Sequence, residues 1–148
     1  MTKKAERVKA FCHRVIDYDN KYQEYWYNQQ IAEAGEAEPV SHLVELIDRL
    51  ENSKPTTADL IQAEKIPYCR LMARARGQVW DLIAESPLSP LQRRIMTDRY
   101  NRAYKWSKIL MRSKLKHKRS LYRIHNEALE LMVPAMERLF PDWQVGDE

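Results

Sequence analysis

The apolar positions of the first 33 residues recur every three or four residues, which is the period of a helix with one buried face. They are Val8, Phe11, Val15, Tyr18 and Tyr22. This pattern predicts one helix over about residues 4 to 33. The helix continues into an aromatic run that is either a stacking surface for bases or a contact between helices or between two copies of the chain. The run comprises Tyr25, Trp26 and Tyr27.

Two further helices are predicted before residue 86. Ser41 can cap a helix that ends near Ser53 and carries its apolar side chains on one side, namely Leu43, Val44, Leu46, Ile47 and Leu50. Thr56 and Asp59 have the spacing of a capping box for the next helix, which extends to about residue 85. Pro67 should kink or split that helix, because its ring removes a hydrogen-bond donor and clashes with the preceding turn.

The sharpest boundary in the sequence follows residue 86. Ser89 can act as N-cap, with Pro90 at the first helical position and Gln92 at the third, so a helix is predicted from Pro90 to about residue 101. A shorter helix around residues 104–110 follows, and a turn is expected at residues 116 and 117, with His117 in the N-cap position. A last long helix carries the apolar positions of residues 121–132, and we expect Pro134 to interrupt it.

The fold class that these patterns predict is all-α. Only three glycines occur in 148 residues, and because β-hairpins and bulges use glycine, a sheet is disfavoured. We expect residues 1–86 to form a helical region for oligomerisation or partner binding. Residues 87–148 are expected to form a tri-helical helix-turn-helix domain with a C-terminal helical extension.

Positive charge is concentrated in one part of the chain. The net charge is +4, and ten of the 25 Lys and Arg residues lie between residues 99 and 126, where no Asp or Glu occurs. The rest of the chain therefore carries 15 positive and 21 negative residues. A basic segment on an acidic body is typical of a polyanion-binding surface, because each neutralised phosphate releases a counterion. The alternative is a solvated helix face, although such faces usually mix both signs.

Three short helices over about residues 91–132 match the tri-helical helix-turn-helix plan, in which the third helix enters the major groove and the second crosses the backbone. Apolar side chains of all three can close a small core: Ile95, Tyr100, Ile109, Leu110, Leu121 and Ile124. The residues expected to contact phosphates or, through arginine, the edge of guanine are Lys105, Arg112, Lys114, Lys116, His117, Lys118, Arg119, Tyr122 and Arg123.

Some of these roles have structural alternatives. Trp106 can either contact the sugar-phosphate backbone or anchor the core, and His125 can either pack between helices or contact a phosphate. Tyr122 can either bond a phosphate or cover an apolar gap. Arg123 has the alternative of an ion pair with Glu127, four residues later.

Several short motifs of this segment occur in an order that resembles a known family. They are Asp98-Arg99-Tyr100, Trp106-Ser107-Lys108-Ile109, and Leu121-Tyr122-Arg123-Ile124-His125 followed by Ala128-Leu129, all preceded by Leu88-Ser89-Pro90-Leu91-Gln92. They are similar to the C-terminal part of the ArpU/RinA-type late-gene regulators of prophages in Gram-positive bacteria, which are sigma-70 region-4-like proteins. The resemblance covers about residues 88–132. It implies a helix-turn-helix protein that binds promoter DNA and activates phage structural or packaging genes.

Other classes of function find little support in the sequence. There is no Gly-rich phosphate loop, His-Glu-x-x-His motif, nucleophile elbow or paired-carboxylate cluster, so we expect neither an enzyme nor a cofactor. The spacing of His117 and His125 disfavours a metal site. The first residues do not have the pattern of a secretory signal and no long apolar run occurs, so we expect a cytoplasmic protein of the host bacterial cell without membrane contact. Cys12 and Cys69 are expected to be buried, reduced thiols.

The leading hypothesis is therefore a phage-encoded, sequence-specific transcription regulator whose partner is double-stranded DNA. RNA polymerase is a further candidate partner, and the N-terminal helices or residues 43–50 could supply the interface of a homodimer. The competing hypothesis is an accessory protein that binds a host or phage protein and contacts nucleic acid only non-specifically. Sequence preference distinguishes the two, because backbone contacts carry no sequence information.

Overall fold

The structure, a computed structural model, describes residues 1–32 and 68–147. Its regular elements in these ranges are all helical: α1 (Lys3–Ala32), α2 (Cys69–Ala84), α3 (Pro90–Met96), a π-helical turn (Thr97–Asn101), α4 (Trp106–Ser113) and α5 (Lys118–Leu139). The predicted all-α class is confirmed. None of the helices described is both long enough and apolar enough to cross a membrane.

Several sequence predictions concern residues outside the described ranges. These are the helix between residues 41 and 53, the capping box at Thr56 and Asp59, and the kink at Pro67. The side chain of Trp26 likewise lies outside the described part of the chain. Within the described ranges, α1 occupies almost the predicted span. Four of its five predicted apolar positions, Val8, Phe11, Val15 and Tyr22, are buried, and Tyr18 is partly buried.

The chain divides into two compact units. One consists of Met1–Ile16 together with Arg74–Glu148, and the other is Asp17–Ala73. The first unit contains α3, the π-helical turn, α4 and α5, and therefore holds the whole basic segment. The domain boundary proposed at residue 86 stays a prediction.

The start of α3 follows the predicted cap. The Ser89 hydroxyl accepts the Gln92 backbone N–H at 3.1 Å, and the Gln92 side-chain oxygen accepts the Ser89 N–H at 2.9 Å. This reciprocal capping box satisfies two donors that a helix start leaves without partners. The α-helix ends at Met96 and widens into the π-helical turn, where the Arg102 N–H donates to the Thr97 carbonyl, five residues earlier, at 3.0 Å.

A four-residue turn at residues 114–117 connects α4 to α5, in the region where the sequence predicts a turn. Lys114 adopts the left-handed conformation, with φ of 60°, and ends α4. The Ser113 hydroxyl accepts the Leu115 N–H at 3.4 Å. His117 occupies the N-cap position of α5 but makes no side-chain capping bond.

A small apolar core joins α3, α4 and α5. Each helix contributes one fully buried residue, namely Ile95, Ile109 and Leu121. Partly buried apolar side chains surround these three: Tyr104, Trp106, Leu110, Leu115 and Ile124. The core therefore fixes the first turns of α5 against α3 and α4.

The expected interruption of α5 at Pro134 is wrong, because the helix runs without a break from Lys118 to Leu139. A proline inside a helix costs about 3 kcal/mol, since it removes one backbone hydrogen bond and its ring crowds the preceding turn. Leu129 and Met132 before Pro134, and Ala135 and Met136 after it, are all buried. Apolar packing on both sides of the proline therefore holds the helix in line.

The C-terminal residues are attached to the first part of α1. The Arg7 guanidinium donates to the carbonyls of Phe140 and Trp143, with Nη2–O distances of 2.7 Å to each. Phe11 packs against the rings of the same two residues, at centroid distances of 4.7 and 5.2 Å. These contacts satisfy the carbonyl of Phe140, the C-cap of α5, and give the first unit a second apolar cluster.

Candidate nucleic-acid interface

The nine residues predicted to contact DNA lie at the N-cap of α4, on α4 itself, on the turn after it and on the first turns of α5. Eight of them are exposed, and Arg112 is partly buried. Arg119, Tyr122 and Arg123 line one open groove. Arg112 instead lies in a separate groove beside Asp98 and Arg102.

The basic residues of the first half of the segment (residues 99–112) bind mainly to their own chain. Asp98 is buried, with 2% of its surface exposed, and it accepts from Arg112 Nε at 2.9 Å and from Arg102 Nη1 at 3.4 Å. The hydrogen bond to Asp98 raises the pKa of Arg112 above its ordinary value. Two arginines of the basic segment thus neutralise one buried carboxylate of the π-helical turn.

Two aromatic rings hold two further cations of this half. Lys108 Nζ lies 3.7 Å from the centroid of the Tyr104 ring, and the Arg99 guanidinium lies 4.6 Å from that of Trp106. Arg99 also donates to the Tyr104 carbonyl at 3.1 Å, and its partial burial lowers its pKa. Lys105 is the exception in the first half, because it is exposed at the N-cap of α4 without such a partner among the described residues.

The basic residues of the second half (residues 114–123) have no such partners. They are Lys114, Lys116, Lys118, Arg119 and Arg123, and all are exposed. Within residues 68–147, none of them forms an ion pair or a cation–π contact, and the alternative pair of Arg123 with Glu127 is not formed. The second half therefore concentrates positive charge that is available to an external polyanion.

The exposed stripe of α5 changes in charge along its length. Four residues follow one another at helical spacing along this stripe, and all four line the groove: Arg119, Arg123, Asn126 and Glu130. Glu130 accepts the Thr2 backbone N–H at 2.8 Å and the Thr2 hydroxyl at 3.0 Å. The backbone bond is the main reason that the pKa of Glu130 is lowered, so this carboxylate is ionised at neutral pH. The stripe is therefore basic at its start, neutral at Asn126 and acidic beyond it.

The opposite face of α5 contains a buried histidine. His125 is 3% exposed, and its Nε2 lies 2.6 Å from the Tyr100 hydroxyl. Its ring meets Trp106 edge to face at 4.9 Å, and Trp106 meets Tyr122 in the same way at 5.2 Å. Burial lowers the pKa of His125 to about 4. His125 therefore packs between helices, and Trp106 is an anchor of the core.

Sequence reasoning missed Asp98, although a signal for it exists. Asp98 follows Ile95 by three residues and thus occupies an inward position of the predicted helix. A carboxylate at such a position needs a cation, and the basic segment begins directly after it. The partner Arg112 could not be identified in this way, because the contact depends on how α4 packs.

The described residues contain no group of His, Cys, Asp or Glu side chains that could hold a metal ion. Cys12 and Cys69 are both buried, as expected, and burial raises the pKa of Cys12 to about 12. Such a thiol stays protonated and is a poor nucleophile at neutral pH. When the chain is compared with protein-family models, curated proteins and solved structures, none of them matches it.

Proposed function

We propose that the protein is a sequence-specific DNA-binding transcription regulator in which α4, residues 114–117 and α5 act as a helix-turn-helix. The observation that carries this proposal is the set of five exposed basic residues, without ion pairs among the described residues, on the turn and the first turns of α5. A helix that is fixed by a core on one face and basic on the other has what it needs to enter the major groove.

The proposed contacts follow from position on the helix. Lys114, Lys116 and Lys118, on the turn and at the helix start, contact phosphates as mobile point charges. Arg119 and Arg123 lie on the exposed stripe of α5, and their guanidinium groups can bond two acceptors of guanine at once. Arg112 contributes to the interface by holding α4 on the π-helical turn through Asp98.

The resemblance to ArpU/RinA-type regulators supports a narrower proposal. The protein binds promoter DNA of a phage inside the host cell and activates late genes, with RNA polymerase as a further partner. Two copies dimerise through their N-terminal helices, which would place two reading helices about 34 Å apart on the DNA. Sedimentation of the full chain as a monomer at micromolar concentration would argue against the dimer.

Binding-site selection from fragments of a phage genome, with the purified full chain at stated salt, tests the function. We expect a selected site that is bound at least a hundredfold more tightly than random DNA. Arg119→Ala and Arg123→Ala should each reduce this preference by about 1–3 kcal/mol if the arginine reads a base, whereas Lys114→Ala should weaken all DNA alike. Arg138→Ala is the matched control on α5, because Arg138 is exposed and pairs with Glu85. Equal affinity for selected and random DNA would refute the regulator and favour the non-specific accessory protein.

A further inference from the structure

Three polar side chains form a continuous series from the core to the surface of the first unit. The buried Tyr100 hydroxyl lies 2.6 Å from Nε2 of His125, and Nδ1 of the same ring lies 3.0 Å from Oδ1 of Asn126. Tyr100 and His125 are almost fully buried, whereas Asn126 is exposed. The series therefore connects the π-helical turn to the exposed stripe of α5.

The protonation of Tyr100 and His125 decides which atom donates in each of these two hydrogen bonds. Burial raises the pKa of Tyr100 well above its usual range, so its hydroxyl keeps its proton. Oδ1 of Asn126 can only accept, so Nδ1, which faces it, carries a proton, and Nε2 accepts from the Tyr100 hydroxyl. Burial also keeps His125 neutral at pH 7, and a neutral imidazole that accepts at Nε2 carries its proton on Nδ1. His125 Nδ1–H therefore donates to Asn126 Oδ1 and holds the carboxamide in one orientation.

The carboxamide of Asn126 is left able to bind an external group. Both protons of Nδ2 and one lone pair of Oδ1 remain available after the bond from His125. A donor and an acceptor side by side match the N7 and N6–H₂ groups that adenine presents in the major groove. Asn126 also lies on the exposed stripe with Arg119 and Arg123, just before the acidic residues Glu127 and Glu130. It is thus the last residue of the stripe that can approach DNA without electrostatic repulsion.

We propose that Asn126 is a specificity-determining residue that reads an adenine in double-stranded DNA, and that Tyr100 and His125 are positioning residues for it. The proposal rests on the function proposed above and adds a base to the guanine contacts of the arginines. Its physical basis is preorganisation: a carboxamide that is already oriented loses less conformational entropy when it binds the base.

Binding-site selection with the wild type and with Asn126→Ala tests the reading role. The variant should lose the preference for adenine at one position of the site, by about 5- to 100-fold in relative affinity. Its affinity for random DNA and the salt dependence of binding should stay unchanged, because every phosphate contact is retained. Gln144→Ala, at an exposed carboxamide outside the helices that we assign to binding or dimerisation, is the matched control and should keep the wild-type preference.

The positioning role is tested by Tyr100→Phe, which removes only the hydroxyl. Nitrogen NMR of the imidazole should show the proton on Nδ1 of His125 in the wild type and a mixture of tautomers in the variant. The preference at the adenine position should weaken but not vanish, and urea unfolding checks that the variant is folded. A wild-type His125 with its proton on Nε2 would overturn the positioning roles.

The outcomes separate this proposal from the one on which it rests. If the wild type selects no site, the proposed function fails, and base reading by Asn126 fails with it. If the wild type selects a site and Asn126→Ala keeps every base preference, only the role of Asn126 is overturned. The tautomer measurement needs no DNA, and it therefore decides the positioning roles in either case.

Discussion

The two halves of the basic segment have the same charge but different environments. In the first half (residues 99–112), Arg102 and Arg112 bind Asp98, while Lys108 and Arg99 lie over aromatic rings. In the second half (residues 114–123), all five basic residues are exposed and make no ion pair within the described residues. Only about half of the positive charge that the sequence shows is therefore available to a partner.

The difference shows why a count of charges overestimates a binding surface. A cation that is already bonded to a carboxylate must give up that bond before it can neutralise a phosphate. A free lysine on a turn loses only rotamer freedom and part of its hydration shell. The first half thus stabilises the platform, and the second half is the part that we propose binds DNA.

The largest expected effect concerns His125. It follows the second half of the basic segment in the sequence, but its side chain is buried. Its folded-state pKa of about 4 lies below the ordinary value of 6.5. The unfolded chain therefore binds more protons between these pH values. The stability that the fold gains from a neutral His125 is complete above pH 6.5 and falls as the pH drops towards 4. We expect a loss of about 3 kcal/mol over this window, measured by urea unfolding.

The variant His125→Gln isolates this contribution from that of the carboxylates, which also destabilise the fold in acid. Its free energy of unfolding should depend clearly less on pH between 6.5 and 4 than that of the wild type. Parallel pH profiles for the two proteins would mean that His125 is protonated as easily as an exposed histidine, and that water reaches the inner face of α5.

The second prediction removes the three lysines on the turn and at the start of α5. The triple variant Lys114→Ala, Lys116→Ala, Lys118→Ala should bind DNA on the order of 100-fold more weakly at physiological salt, with the salt slope reduced by about 3. Fluorescence anisotropy over a salt series measures both. The matched control replaces three cations of the first half together with the carboxylate that two of them bind, so that no buried charge is left without a partner. This variant, Asp98→Asn, Arg102→Ala, Lys108→Ala, Arg112→Ala, should keep the salt slope. Equal losses in both variants would remove the distinction between the halves.

Much of the fold could be predicted from the sequence where the determinants are local. The capping box of Ser89 and Gln92 involves residues three positions apart, and the periodicity of α1 is visible in a single window. Pro134 misled the prediction because its local cost is offset by the packing of Leu129 and Met136, which no window of sequence reveals. Non-local packing also decides that Arg112 binds Asp98, so a sequence cannot separate bound from free cations.

The third prediction releases the two arginines of the first half that bind Asp98. Asp98→Asn keeps the size of the side chain but removes the charge that holds Arg102 and Arg112. We expect Tm to fall by several degrees, because two charge-assisted bonds are weakened, while affinity for random DNA rises several-fold as arginines become available. Calorimetry and a salt series measure the two effects. A lower Tm with an unchanged salt slope would show that these arginines do not reach DNA even when released.

The smallest expected effect separates two lysines at the start of α4. Lys105 is exposed at the N-cap, whereas Lys108 lies 3.7 Å from the centroid of the Tyr104 ring. If Lys105 contacts one phosphate, Lys105→Ala should weaken binding to any DNA by about 5-fold and lower the salt slope by about 0.9. Lys108→Ala should leave the slope unchanged, because its charge is already directed at an aromatic ring. If instead Lys108→Ala lowered the salt slope and Lys105→Ala did not, a cation over an aromatic ring would still bind DNA. The contacts within the first half would then not decide which of its cations bind.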